Sequence, residues 1–181
     1  MIMKALIIVD VQNDFCPEGA LPAPEGDKVV PVINKIINKF DLVVASRDWH
    51  PEGTVHFDKW PPHCVENTKG AEYHPDLHTE DIDVHLFKGT GNVDDGYSAF
   101  EATSDNLEKL LRKKGIDEVY VAGLTTEYCV RSTAIDSLKK GFKTWLVTDA
   151  VEGVRQNPGD VDKAIGEMAG LGIKMISSSQ V

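Results

Sequence analysis

The run Lys4 to Val11, KALIIVDV, is almost continuously apolar and rich in β-branched side chains. A strand with one wet face alternates apolar and polar residues, and this one does not, so both of its faces must be covered. Such a strand belongs inside a sheet that is packed between helices. Strand-like runs recur at Leu42 to Ser46, Val84 to Lys88, Glu118 to Ala122, Thr144 to Thr148 and Lys174 to Ser177. Between them lie segments of helical character. Asp27 is placed to cap KVVPVINKIINKF, whose Val29, Val32, Ile33, Ile36, Ile37 and Phe40 recur at helical spacing, with Pro31 in the first turn. Ser104 or Asp105 is placed to cap a second helix through Lys114 that Gly115 ends, and Glu127 to Lys140 reads as a third. Pro158, Gly159 and Asp160 start a fourth that ends near Gly170. The alternation predicts an α/β fold: a three-layer α/β/α arrangement around a mostly parallel sheet of about six strands. With 181 residues and no linker, repeat or low-complexity stretch, the expectation is one domain over 1–181.

The net charge of -10, with no cluster of Lys or Arg, argues against a nucleic-acid partner. No stretch approaches the roughly 20 apolar residues that a membrane span requires, so no membrane partner is expected. The start, MIMKALIIVDVQND, has too short an apolar run for a signal peptide and reads as the first core strand. Cys16, Cys64 and Cys129 cannot all pair within one chain and form no C-x-x-C, which suits a reducing, cytoplasmic setting. Pattern alone does not separate an exposed apolar stripe from core, which leaves a homo-oligomer open.

In open α/β sheets the ligand site lies beyond the carboxyl ends of the strands. Asp10, Asp48, Lys88 and Cys129 all fall at or just after such ends. In Glu118 to Leu138, EVYVAGLTTEYCVRSTAIDSL, an apolar strand breaks at Gly123 and becomes a helix with Cys129 near its first turn. Free amides at a helix start favour a thiolate and also bind an oxyanion, so Cys129 reads as a nucleophile with a lowered pKa. The competing reading is a small buried cysteine packed as a hydrophobe. Asp10 fits the role of its proton acceptor, and Lys88 supplies a cation that favours both charged forms. Taken singly, Asp10 also reads as a turn former and Lys88 as a surface lysine.

Between Arg47 and Asp81 the chain shows little periodicity and much His, Pro and Trp, and a loop that long is usually functional. Asp48, His50, His56, His63 and His74 are available there, an imidazole and carboxylate set that suits one divalent ion and leaves a position for water or substrate. Spacing leaves the ion open among zinc, iron and manganese. Cys64 beside His63 mimics a further ligand. Phe15, Trp60 and Tyr97 read either as walls for a flat ring or as core. Gly89, Gly91 and Gly96 do not form a dinucleotide fingerprint.

These stretches resemble the nicotinamidase branch of the isochorismatase-like cysteine hydrolases. The resemblance is carried by IIVDVQNDF, SRDWHPEGTVHF, WPPHCVENTKGAEYHP, FKGTGNVDDGYSAF and VAGLTTEYCVRSTAIDSLKKGF, in family order from Ile7 to Phe142. It implies the isochorismatase-like hydrolase fold, with Asp10 as general base, Lys88 as its catalytic neighbour and Cys129 as nucleophile. It also implies Asp48, His50 and His63 as metal ligands, with His56 a further ligand in some members. A cis peptide between Leu124 and Thr125 is implied as well, aiming the amides of Thr125 and Cys129 into an oxyanion hole. Tyr128 stands where several members have His. The implied activity is hydrolysis of nicotinamide to nicotinate and ammonia through a cysteine thioester, in NAD salvage, with pyrazinamide as a second substrate. The alternatives are a metal-independent amidase of the family acting on a ureido compound, and a non-catalytic metal- or ligand-binding module of the same fold.

Overall fold

Strand β1 (Lys4–Val9) lies inside a six-stranded sheet, hydrogen-bonded on one side to β2 (Leu42–Asp48) and on the other to β4 (Glu118–Leu124). The computed structural model describes residues 1–181. Beyond these three strands lie β3 (Val84–Lys88) at one edge and β5 (Lys143–Glu152) then β6 (Lys174–Ile176) at the other, in the order β3-β2-β1-β4-β5-β6. Every pairing is parallel, as the uninterrupted apolar strands require. Leu6 and Ile8 face a core closed by α1 (Val29–Ile36), with Ile33 and Ile36 against them. Ala5, Ile7 and Val9 face the opposite core, closed by α2 (Leu107–Lys113), α3 (Arg131–Lys139) and α4 (Asp160–Leu171). That two-sided burial is why Ala5 to Val9 of β1 are all apolar.

Several boundaries differ from the expected ones. A 3-10 turn, Gly26–Lys28, precedes α1, and no side chain caps the helix, so Asp27 does not serve as its cap. The helix ends at Ile36, and Ile37–Lys39 follow as another 3-10 turn that leaves Phe40 extended. Asn106 caps α2 by accepting from the Lys109 amide at 2.9 Å. Ser104, one of the two expected caps, instead accepts from the Phe87 amide at 2.9 Å, which ties the helix entry to β3. Asp105, the other, turns onto the adjacent Asn106 amide. Strand β5 runs well past Thr148 because the register shifts between Val121 and Gly123, letting Leu124 pair with Glu152. No helix is long and apolar enough to cross a membrane.

Strands β1 to β3 step away from the middle of the sheet in one direction and β4 to β6 in the other. The reversal lies between β1 and β4, and a crevice opens there above the carboxyl ends. Gly123 makes the approach of these strands close: its φ is +112°, and a Cβ on it would meet the Val9 carbonyl oxygen at 2.1 Å.

Candidate active site

Lys88 ends β3 and is fully buried, so its ammonium must find its partners inside the protein. The side chain reaches across the ends of four strands. Its Nζ lies 2.5 Å from Asp48 Oδ1 on β2, 2.7 Å from Asp10 Oδ2 just after β1, 2.8 Å from the Gly96 carbonyl oxygen and 3.5 Å from Cys129 Sγ beyond β4. The Asp10 contact is a close ion pair set off the hydrogen-bond axis, which leaves Oδ2 without a directed donor. Oδ1 of Asp10 accepts from the Ser46 hydroxyl at 2.7 Å. One carboxylate oxygen each of Asp10 and Asp48 and the thiol of Cys129 lie within 4.8 Å of one another. Three such groups resemble a metal cage, but the Lys88 ammonium is already the cation among them.

These neighbours set the proton affinities. Burial pushes Asp10 up, Lys88 pulls it back and Asp48 adds to the rise, leaving it at about 6. Burial pushes Asp48 up too, but Lys88 and His50 outweigh it and hold that carboxyl below the usual range. Burial opposes the charge on Lys88, and the two carboxylates overcome it, so the ammonium persists well above its ordinary pKa. Cys129 contradicts the expectation of a lowered pKa. Burial pushes its thiol well above the ordinary value, Lys88 opposes this, and Asp10 and Asp48 add to the rise. The reason is that Cys129 is buried on a wide π-helical turn, Thr126–Val130, with two carboxylates facing it. At rest the sulfur therefore carries its proton.

The three imidazoles of His50, His56 and His63 converge beside this group, with one ring nitrogen from each mutually within 4.8 Å. Each ring has its Nδ1 against an acceptor: the Gly89 carbonyl at 2.9 Å, Asp94 Oδ1 at 2.9 Å and the Pro61 carbonyl at 2.7 Å respectively. A carbonyl or carboxylate only accepts, so Nδ1 carries the proton and Nε2 keeps its lone pair. Burial lowers the pKa of His56 and His63, which keeps those rings neutral. Asp48 Oδ2 lies 3.4 Å from His50 Nε2 and 3.9 Å from His63 Nε2. His50 Nε2 is buried without any partner in the protein. Such an orphaned acceptor, in a set of outer-anchored imidazoles with a carboxylate, fits a divalent ion. His74 stands apart, its Nδ1 accepting from the Asp76 amide. Cys64 is also outside the set, its thiol buried and its amide donating to Asp14 at 2.7 Å.

A pocket is lined by Cys129 and Thr125 on one side and Asp48, His50, His56 and His63 on the other. Phe15, Trp60 and Tyr97 line it too, and Tyr128 adds its ring edge-on to Trp60 at 4.8 Å. The peptide between Leu124 and Thr125 is cis, as the resemblance implies. Sequence reasoning missed Leu21 and Val154 in the lining, and Gln12 and Asp94 behind it. Gln12 donates to the Asp48 carbonyl at 2.8 Å and accepts from the Asp48 amide at 2.9 Å, fixing that residue's backbone. Its only signal was its place two residues after Asp10. Asp94 had none beyond an acidic pair in a loop.

Residues 4–180 match the family model of the isochorismatase domain. The chain is 39% identical to the nicotinamidase of Escherichia coli K12 over 196 aligned positions, covering 93% of this chain and 92% of that one. Its structure is similar to that of the pyrazinamidase of Pyrococcus horikoshii in complex with zinc, with a TM-score of 0.87 and 48% identity over 96% of this chain and 98% of that one. A protein of L. infantum in complex with nicotinate superposes with a TM-score of 0.91 at 34% identity, over 98% of this chain and 93% of that one.

Proposed function

The chain belongs to the isochorismatase domain family, and we propose that it is an amidohydrolase that converts nicotinamide to nicotinate and ammonia by way of a thioester on Cys129. The relatives that act on nicotinamide support the reaction, and it places the protein in NAD salvage. The observation that carries the reading is that the Cys129 thiol and the three converging imidazoles open into one pocket, whose aromatic walls suit a single-ring amide.

The proton and electron traffic follows from the resting state. Cys129 starts as a thiol, so as Sγ bonds to the amide carbon its proton passes to Asp10, whose Oδ2 lacks a directed donor. The carbonyl π pair moves onto oxygen, and the resulting oxyanion is assigned to the amides of Thr125 and Cys129. As the oxyanion collapses, the carbon–nitrogen bond breaks and Asp10 delivers the proton to the departing nitrogen, releasing ammonia. Water then attacks the thioester with Asp10 as base, the carbon–sulfur bond breaks, and the thiol recovers its proton as nicotinate leaves. Lys88 holds Asp10 in place throughout and offsets the negative charge that passes between sulfur and carboxylate. A divalent ion held by Asp48, His50, His56 and His63, zinc before iron or manganese, would supply a Lewis-acid anchor for the pyridine nitrogen. Phe15, Trp60, Tyr97 and Tyr128 confine the ring.

Ammonia release from nicotinamide tests the assignment. The parent protein should turn over, and Cys129→Ala should lose essentially all activity while keeping its fold. Ammonia produced by Cys129→Ala at the parent rate would contradict it.

A further inference from the structure

Asp94 belongs to neither the reacting group nor the imidazole set, yet it touches both the metal side and the ring side of the pocket. Its Oδ1 sits 2.9 Å from His56 Nδ1 and accepts from the Tyr97 hydroxyl at 2.8 Å. That hydroxyl in turn accepts from Trp60 Nε1 at 3.1 Å. Lys59 pairs with the other oxygen, Oδ2, and holds the carboxylate in its charged form. One oxygen atom therefore fixes the tautomer of His56 and the orientation of two aromatic walls.

We propose that Asp94 is a positioning residue that couples the metal-binding histidines to the aromatic wall, so that affinity for the ion and for the substrate ring depend on the same carboxylate. This rests on the metal and nicotinamide readings above. Without Asp94, His56 loses the acceptor that keeps its proton on Nδ1 and its lone pair on Nε2. Tyr97 loses the partner that fixes its hydroxyl, and Trp60 loses the anchor behind it. Asp94 contacts neither Cys129 nor Asp10 nor Lys88, so the bond-making steps are untouched.

The test measures zinc affinity of the full-length protein by competition with a chromogenic chelator, with no substrate present, and then steady-state kinetics on nicotinamide at saturating zinc. Asp94→Ala, which removes the acceptor, is expected to bind zinc about 10- to 100-fold more weakly, the usual effect of removing an outer partner of a ligating histidine. At saturating zinc its KM should rise several-fold while kcat stays within about twofold. Tyr97→Phe leaves the Asp94–His56 bond in place, and should raise KM with zinc affinity close to that of the parent. Zinc bound equally by the parent and Asp94→Ala would overturn the proposal alone, as would a fall in kcat at unchanged KM. A zinc loss in Tyr97→Phe as large as in Asp94→Ala would overturn the proposal by assigning the coupling to the ring. A parent protein that binds no zinc would overturn the metal reading and this proposal with it.

Discussion

Asp10 and Lys88 sit at the ends of strands β1 and β3 and Cys129 on the π-helical turn after β4, whereas His56, His63, Trp60 and Tyr97 hang from two loops with only short 3-10 turns among them. The first group is buried at the carboxyl edge of the sheet, with the Lys88 ammonium against the Asp10 carboxylate and the Cys129 thiol. The second is held by side chains bonding to loop carbonyls and to Asp94. Asp48 serves both, giving Oδ1 to Lys88 and Oδ2 to the imidazoles. The difference suggests a division of labour: bond-making is placed on the rigid part of the fold, and recognition on the part that can vary without disturbing it.

The sharpest way to break that division is to remove the proton carrier. Asp10→Asn should lower kcat by about 10² to 10⁴ with zinc binding intact, the range for losing a general base, as steady-state ammonia release and chelator competition will show. Equal losses of zinc and activity would mean that the two groups are not separable. Removing the ion should act on the other half: chelation is expected to raise KM for nicotinamide by about ten- to a hundredfold, one to two steps of 1.4 kcal/mol in binding. A loss confined to kcat would place the ion in the chemistry.

The smallest expected effect is the pH response, and it reports on the strand-end group. Burial first, then Asp48, raise the Asp10 pKa to about 6 against the pull of Lys88. Asp10 must be ionised to take the thiol proton, so kcat/KM falls below pH 6 and rises through it. Between pH 5 and pH 7 the gain should be about tenfold, with a plateau above. Because the Cys129 thiol is pushed far up, no second rise from thiolate formation belongs near neutrality. A rise centred well above pH 8 would instead mark the thiol as the group that titrates.

The sequence made the two regions unequally legible. Strand period and the rule that parallel sheets bind at their carboxyl ends were enough to place Asp10, Lys88 and Cys129 at one edge, since a residue after an apolar run has only one place to go. The histidines were visible as residue types and spacing, but which of them converge was not, and His74 turned out to bond to the Asp76 backbone. Asp94 and Gln12 act through contacts across 38 and 36 residues, with no periodic pattern to reveal them. For Cys129 a helix start argues for a thiolate, while burial beside two carboxylates, which no local motif encodes, argues more strongly against it.

The central claim is that the carbon–sulfur bond forms at Cys129 while the loop residues only hold the ring. It is tested most directly by mixing the protein with nicotinamide for less than one turnover, quenching in acid and measuring the mass of the Cys129 peptide. The account expects a nicotinoyl adduct on Cys129, absent from the Cys16 and Cys64 peptides and accumulating as ammonia is released. Ammonia released with Cys129 unmodified at every quench time, under conditions in which hydrolysis of the thioester is slowed, would contradict it.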